Sequence, residues 1–108
     1  MSNLENNQLD AIENIIIFAG LRIKTIDLHP ELDLMTICLN TQIVLSQRIS
    51  SYKLLKYAEN HKLMQHELIG GGTGVHWPHL DEDLSLKGFL QDELGKVVKG
   101  NGTNPIAA

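Results

Sequence analysis

Aromatic side chains are scarce in this chain: one Trp, two Tyr and two Phe make up 5% of 108 residues. A core built from such material is mostly aliphatic, and each large ring carries weight wherever it falls. Cysteine is scarcer still. Cys38 stands alone, so no internal disulfide is possible, and a reducing cytoplasm is the expected setting. Basic residues are outnumbered, 9 against 13 acidic, for a net charge of −4. That balance argues against direct nucleic-acid or anionic-membrane binding, since both need a basic footprint. Long apolar runs are missing. Ile15 to Ala19 is far too short to span a bilayer, and no basic start precedes it, so neither a membrane span nor a secretory signal is expected.

What remains is the composition of one globular domain, 43% hydrophobic and 20% charged. Its most unusual stretch is Leu68 to Leu94. Gly70, Gly71, Gly72 and Gly74 follow the short apolar run Leu68-Ile69 and mark a turn or a close backbone approach. Val75 and Trp77 alternate with His76 as in a short half-buried strand, which Pro78 ends or confines to an edge. Asp81, Glu82, Asp83 and Ser85 precede Leu86, Phe89, Leu90 and Leu94, the spacing of one helix face. Oxygen-bearing side chains there predict a capped helix start, with Gly95 as its stop.

Earlier in the chain, Leu4, Ala11, Ile15 and Phe18 lie near heptad spacing with Gln8 in the seam, predicting an amphipathic helix from Asn3 to Ala19 that Gly20 stops. That helix either packs on its own sheet or pairs with a second copy or a partner. Residues 21–29 read as a strand, with Ile23 and Thr25 facing one way and Ile26 and Leu28 the other. Leu32 to Leu39 reads as a second strand, apolar on both faces and therefore central. Asn40-Thr41 is expected to be a two-residue hairpin turn leading to a third strand, Gln42 to Gln47. Tyr52 to Met64 predicts a middle helix buried through Leu54, Leu55, Ala58 and Leu63. The expected fold is α+β: a small antiparallel sheet of three to four strands, a middle helix, a short C-terminal helix and an extra N-terminal helix. Residues 1–20 form that extra helix, 21–94 the domain and 95–108 a flexible tail.

The segment GGGTGVHWPHLDEDLSLKGFL, Gly70 to Leu90, resembles the C-terminal signature of a bacterial family known as domain of unknown function 2442. The resemblance is close over Gly72 to Leu90 and extends loosely back to Leu21. Asn40-Thr41 departs from it, because the family usually shows Asp-Gly there. It implies no established activity. Genes of the family often neighbour one for another small protein, domain of unknown function 4160, in an arrangement like a toxin–antitoxin pair. Some relatives carry a following helix-turn-helix; Gly95 to Ala108 is too short and too rich in Gly for one.

Two functional readings compete. The first is a protein-interaction or regulatory module, the antitoxin-like member of a two-gene pair. Its contact surface is His76, Trp77, Pro78, His79, Asp81, Glu82 and Asp83, extended by Asp92 and Glu93, with Trp77 as an apolar anchor for a basic partner. The second is a metal-dependent or acid–base enzyme centred on His76, His79 and Asp81, residue types able to converge on a cation. The first is preferred, and with it no cofactor is expected. A Trp in a strand is usually core, and an outward His beside helix-capping acids needs no metal. The Gly cluster lacks the Lys-Ser/Thr of a phosphate loop and the last Gly of a dinucleotide fingerprint, so a structural turn is expected. Cys38, in an apolar strand, is expected to be a small core residue.

Overall fold

The computed structural model describes residues 3–99, with side chains from Ala11 onward. The order is α1 (Asn3–Ala19), β1 (Ile23–His29), β2 (Leu34–Leu39), β3 (Val44–Gln47), α2 (Lys53–Lys56), α3 (Asn60–Leu63), β4 (Glu67–Ile69), β5 (Gly74–Trp77), β6 (Glu82–Ser85) and α4 (Leu86–Lys99). The fold is α+β, with the strands in two antiparallel sheets, β1-β2-β3 and β4-β5-β6.

In the first sheet β2 is central, as its two apolar faces require. Met35, Ile37 and Leu39 point into the core. Alternation therefore turns Cys38 to the other face, where it is half-buried rather than a core residue. A register shift between Ile23 and Thr25 corrects the facing of β1. The bulge moves Ile23 onto the same buried side as Ile26 and Leu28, and Thr25 outward. The β2–β3 turn is also different from a two-residue type I′ turn. Gln42, not Thr41, takes the positive φ (79°), and the Leu39 N–H reaches the Ile43 carbonyl at 2.9 Å. Asn40 fastens this turn: its side-chain oxygen accepts from the Arg22 N–H at 3.0 Å, and its amide donates to the Gly20 carbonyl at 2.8 Å.

The middle helix is broken. Residues 49–51 form a 3-10 turn, and α2 and α3 are single turns separated at 57–59. Leu55 and Leu63 are both buried, while Tyr57 between them is 83% exposed. The Leu63 carbonyl lies at the C-terminal end of α3, where a helix leaves its last carbonyls without intrahelical partners. The Trp77 indole N–H uses it, at 2.9 Å.

Sequence acidity predicts a helix start at Asp81 to Asp83, but Glu82 to Ser85 is a strand. Its register sets Asp83 opposite His76, Leu84 opposite Val75 and Ser85 opposite Gly74. Asp and Glu are poor strand formers; on an edge strand facing solvent they are tolerated and discourage further pairing. Only Ser85 caps α4, accepting the Gly88 N–H at 2.9 Å. At the far end Gly95 does not stop the helix, which runs to Lys99. An internal Gly costs a helix about 1 kcal/mol. Lys96 offsets this: its ammonium bonds Glu93 at 2.8 Å and the Ser46 carbonyl on the open edge of β3 at 2.5 Å. The tail expected at 95–108 thus shortens by five helical residues, and 100–108 lie outside the described residues.

The Gly cluster is the junction between the sheets. Gly70, Gly71 and Gly72 all have positive φ. The Gly72 carbonyl accepts from Ile23 N–H at 2.7 Å, and the Thr73 carbonyl accepts from Leu86 N–H at 2.9 Å. One turn thereby joins the start of β1, the second sheet and the start of α4. The core fills the space between these elements. Trp77, Phe89, Met35, Ile37, Leu55, Leu86 and Val75 are its largest fully buried side chains.

Candidate functional site

The residues singled out in the sequence divide. Trp77 is wholly buried, its ring 5.8 Å from that of His66. It is a core residue in this fold and presents nothing to a partner. Pro78, His79, Asp81 and Asp83 are exposed, and His76 and Glu82 are half-buried. His76 and Asp83, directly opposite on β5 and β6, meet at 2.5 Å between Nδ1 and Oδ1. His79 instead meets Gln65 at 3.0 Å. Asp81 has a left-handed backbone (φ 52°) at the turn before β6. Among the described residues no three His, Cys, Asp or Glu side chains are placed to hold one metal ion. His76, His79 and Asp81 are thus not brought together as a metal-binding group.

What the fold does assemble is a groove of about 210 Å³ between β6 and α4, lined in part by Tyr52, Asp83, Ser85, Gly88, Gln91 and Asp92. Asp83 comes from the edge strand, and Asp92 from the second turn of the helix. Tyr52 sits at their junction. Its ring meets Phe89 edge-on, centroids 6.4 Å apart. Its hydroxyl lies against the side-chain carbonyl of Gln47 and 3.1 Å from the Asp92 carboxylate. Gln47, 6% exposed, is the polar residue buried with the core, and its amide donates to Glu93 at 3.1 Å. Burial and then the negative charges of Asp92, Glu93 and Glu82 push the Tyr52 phenol above its ordinary 10.0. The phenol shift thus records four features of one place: a half-buried ring and three carboxylates.

A second feature lies between α1 and α4. Ile12, Ile15, Leu21, Leu90, Leu94 and Val97, together with Glu93, line a mainly apolar groove of about 300 Å³. Ile15 is 56% exposed, Leu94 54% and Val97 78%.

Reading the sequence finds the acids of the first groove but not Tyr52 or Gln47. Tyr52 has an ordinary helix-start context, and Gln47 ends an ordinary strand. A signal was nonetheless there: by alternation Gln47 shares the inward side of Leu45, and a polar residue at an inward position calls for a partner.

Two solved structures share this architecture, and both are of proteins described as uncharacterized or of unknown function. A crystal structure of a protein of unknown function from Rhodospirillum rubrum superposes with a TM-score of 0.61 at 25% identity, covering 67% of this chain and 87% of that one. The solution NMR structure of an uncharacterized protein from Chromobacterium violaceum gives a TM-score of 0.61 at 22% identity, covering 84% and 82% of the two chains. No curated protein matches the chain. No helix among the described residues is long and apolar enough to cross a membrane. The family model described as "Protein of unknown function (DUF2442)" matches residues 26–94, from the first strand to the exposed turn of α4, and the chain belongs to that family.

Proposed function

We propose that the protein is a small regulatory interaction module that holds a basic segment of a partner protein in the groove between β6 and α4. One observation carries this reading: Asp83 and Asp92, from a strand and a helix, line the same groove beside a half-buried tyrosine. Both carboxylates are exposed and can make charge-assisted hydrogen bonds to Lys or Arg. They also steer a basic partner toward the groove. Asp81 and Glu82 extend the acidic rim along the turn and the edge strand, with His79 beside them. Gene pairing in the family makes a second small protein the expected partner. In this reading the chain's role is antitoxin-like: it occupies and restrains that partner.

Replacing both acids, Asp83→Asn with Asp92→Asn, tests it. The groove keeps its shape and loses its charge. A short Lys/Arg-rich peptide titrated calorimetrically into the native chain should bind and weaken as salt rises. The double variant should bind at least about tenfold more weakly. In extracts of the native host, a basic protein should be retained stoichiometrically by the native chain and released by the variant. Equal retention by both, or no peptide binding by the native chain, overturns the reading.

A further inference from the structure

Three consecutive residues of β6, Asp83, Leu84 and Ser85, line the carboxylate groove. Successive side chains on a strand point to opposite faces, and these do: Asp83 and Ser85 are exposed and Leu84 is half-buried. Neighbours from both faces border one groove where the edge of the strand forms its wall. Among the described residues β6 has β5 on one side and no strand on the other. The register sets the direction of its main chain. The Leu86 N–H donates to the Thr73 carbonyl at 2.9 Å, one step beyond the pair Gly74 and Ser85. Antiparallel partners exchange hydrogen bonds at every second residue, so Leu84 and Glu82 also turn their main chain toward β5. Asp83 and Ser85 therefore turn theirs outward, to the groove. In keeping with this, the Asp83 N–H donates to the carboxylate of the preceding Glu82, at 3.0 Å. The Ser85 carbonyl opens α4 as the cap residue's acceptor, which leaves the Asp83 N–H and C=O and the Ser85 N–H for another chain. The outer edge of β3, by contrast, is blunted by Lys96 on the Ser46 carbonyl.

We propose that the basic partner segment lies in the groove as an extended strand added to the edge of β6, the fourth strand of the second sheet. The inference rests on the basic-partner reading and adds the partner's shape and the atoms that hold it. Outward N–H and C=O groups along a sheet edge are matched by the same groups of another extended chain, which is the chemistry of strand addition. Four residues of β6 span roughly 13 Å, so a segment of similar length covers the edge. Charge then chooses the strand. Like charges directly opposite each other on paired strands destabilise the pair, and opposite charges stabilise it. Glu82 and Asp83 therefore oppose a second copy of this same edge and favour a Lys or Arg set against Asp83. The next residue of the segment points the other way, toward Gly88 and Asp92 on α4, and Gly88 has no side chain to fill that space.

Isothermal titration calorimetry with the full chain and a short peptide of alternating Lys and Thr tests it. Two further peptides carry N-methyl groups, one on every Lys amide and one on every Thr amide. In an added strand the amides of one residue type all face β6, and those of the other all face solvent. One methylated peptide should therefore bind about tenfold or more weakly than the parent, and the other about as well as the parent. On the protein, NMR hydrogen exchange at the Asp83 and Ser85 amides should slow by about tenfold or more with the parent peptide bound. A parent peptide that binds while both methylated forms bind equally well, or equally poorly, overturns strand addition and leaves the basic-partner reading standing. So does binding without slowed exchange at Asp83 and Ser85. A parent peptide that does not bind overturns both.

Discussion

The indole N–H of Trp77 donates to the main-chain carbonyl of Leu63, 2.9 Å away and out of reach of solvent. The bond ties the end of α3 to the centre of the second sheet. Trp77→Phe removes the donor, strands a buried carbonyl and opens a void. Urea unfolding followed by circular dichroism should show a loss of about 2–4 kcal/mol. A loss below about 1 kcal/mol would mean that the bond and the packing matter little.

Gly72 and Gly71 separate steric fit from backbone strain. Gly72 has φ 102°, and a Cβ there would sit 2.7 Å from the Ile23 carbonyl oxygen, which leads into β1. Gly71 has φ 66°, with nothing within 4 Å of the same atom. Gly71→Ala should cost about 1 kcal/mol for the left-handed backbone alone. Gly72→Ala should cost at least about 2 kcal/mol more and loosen the junction between β1 and the second sheet. Thermal unfolding of the two variants side by side checks the order, and equal losses would contradict the clash.

Asp33 makes folding pH-dependent on the acid side. The Ser50 hydroxyl donates to its carboxylate at 2.6 Å; partial burial opposes that effect, and the Ser50 N–H at 2.8 Å and the Arg48 charge add to it. The net result holds the folded pKa below the ordinary 3.8. A depressed carboxylate stabilises the fold fully above its unfolded pKa, and that contribution disappears as pH falls through the folded value. Native stability should therefore fall more steeply than that of Asp33→Asn as pH drops from 3.8 downward. Parallel denaturation midpoints against pH would remove Asp33 from the account.

Tyr52 should be visible in an alkaline titration. In a Tyr57→Phe background the remaining phenol should ionise above 10.0, its ordinary value, because burial and Asp92 both oppose a second negative charge. With the folded pKa raised, its contribution to stability is complete below the unfolded value and declines as pH climbs through the folded one. Adding Asp92→Asn should lower the ionisation pH. Tyr52→Phe, which leaves the Gln47 carbonyl without its donor, should cost about 1 kcal/mol.

How far the sequence reaches can be read element by element. Heptad spacing and Gly20 delimit α1 at Ala19, where the helix ends and Gly20 turns to φ 63°. Apolar residues on both faces make β2 central. Glycines at 70–72 mark the turn that needs positive φ, and Ser85 marks the start of α4. These are local properties: spacing, capping and the steric freedom of one residue type. The acids at 81–83 mislead because their preference for a helix start is worth a fraction of what pairing β6 with β5 provides. Tyr52, Gln47, Asp83 and Asp92 form one site across chain separations of up to 45 residues. No local pattern encodes such a meeting.

By itself the sequence determined the class of fold, the family, the places where the backbone turns and the sign of the surface charge, because composition, periodicity and residue geometry act over a few positions. The tertiary structure decided which apolar stripe of α1 is buried, that Trp77 is core and not anchor, and which carboxylates share a groove. Those outcomes depend on which faces of distant elements meet, and a helix with apolar residues on more than one side leaves that choice open until the rest of the chain has packed.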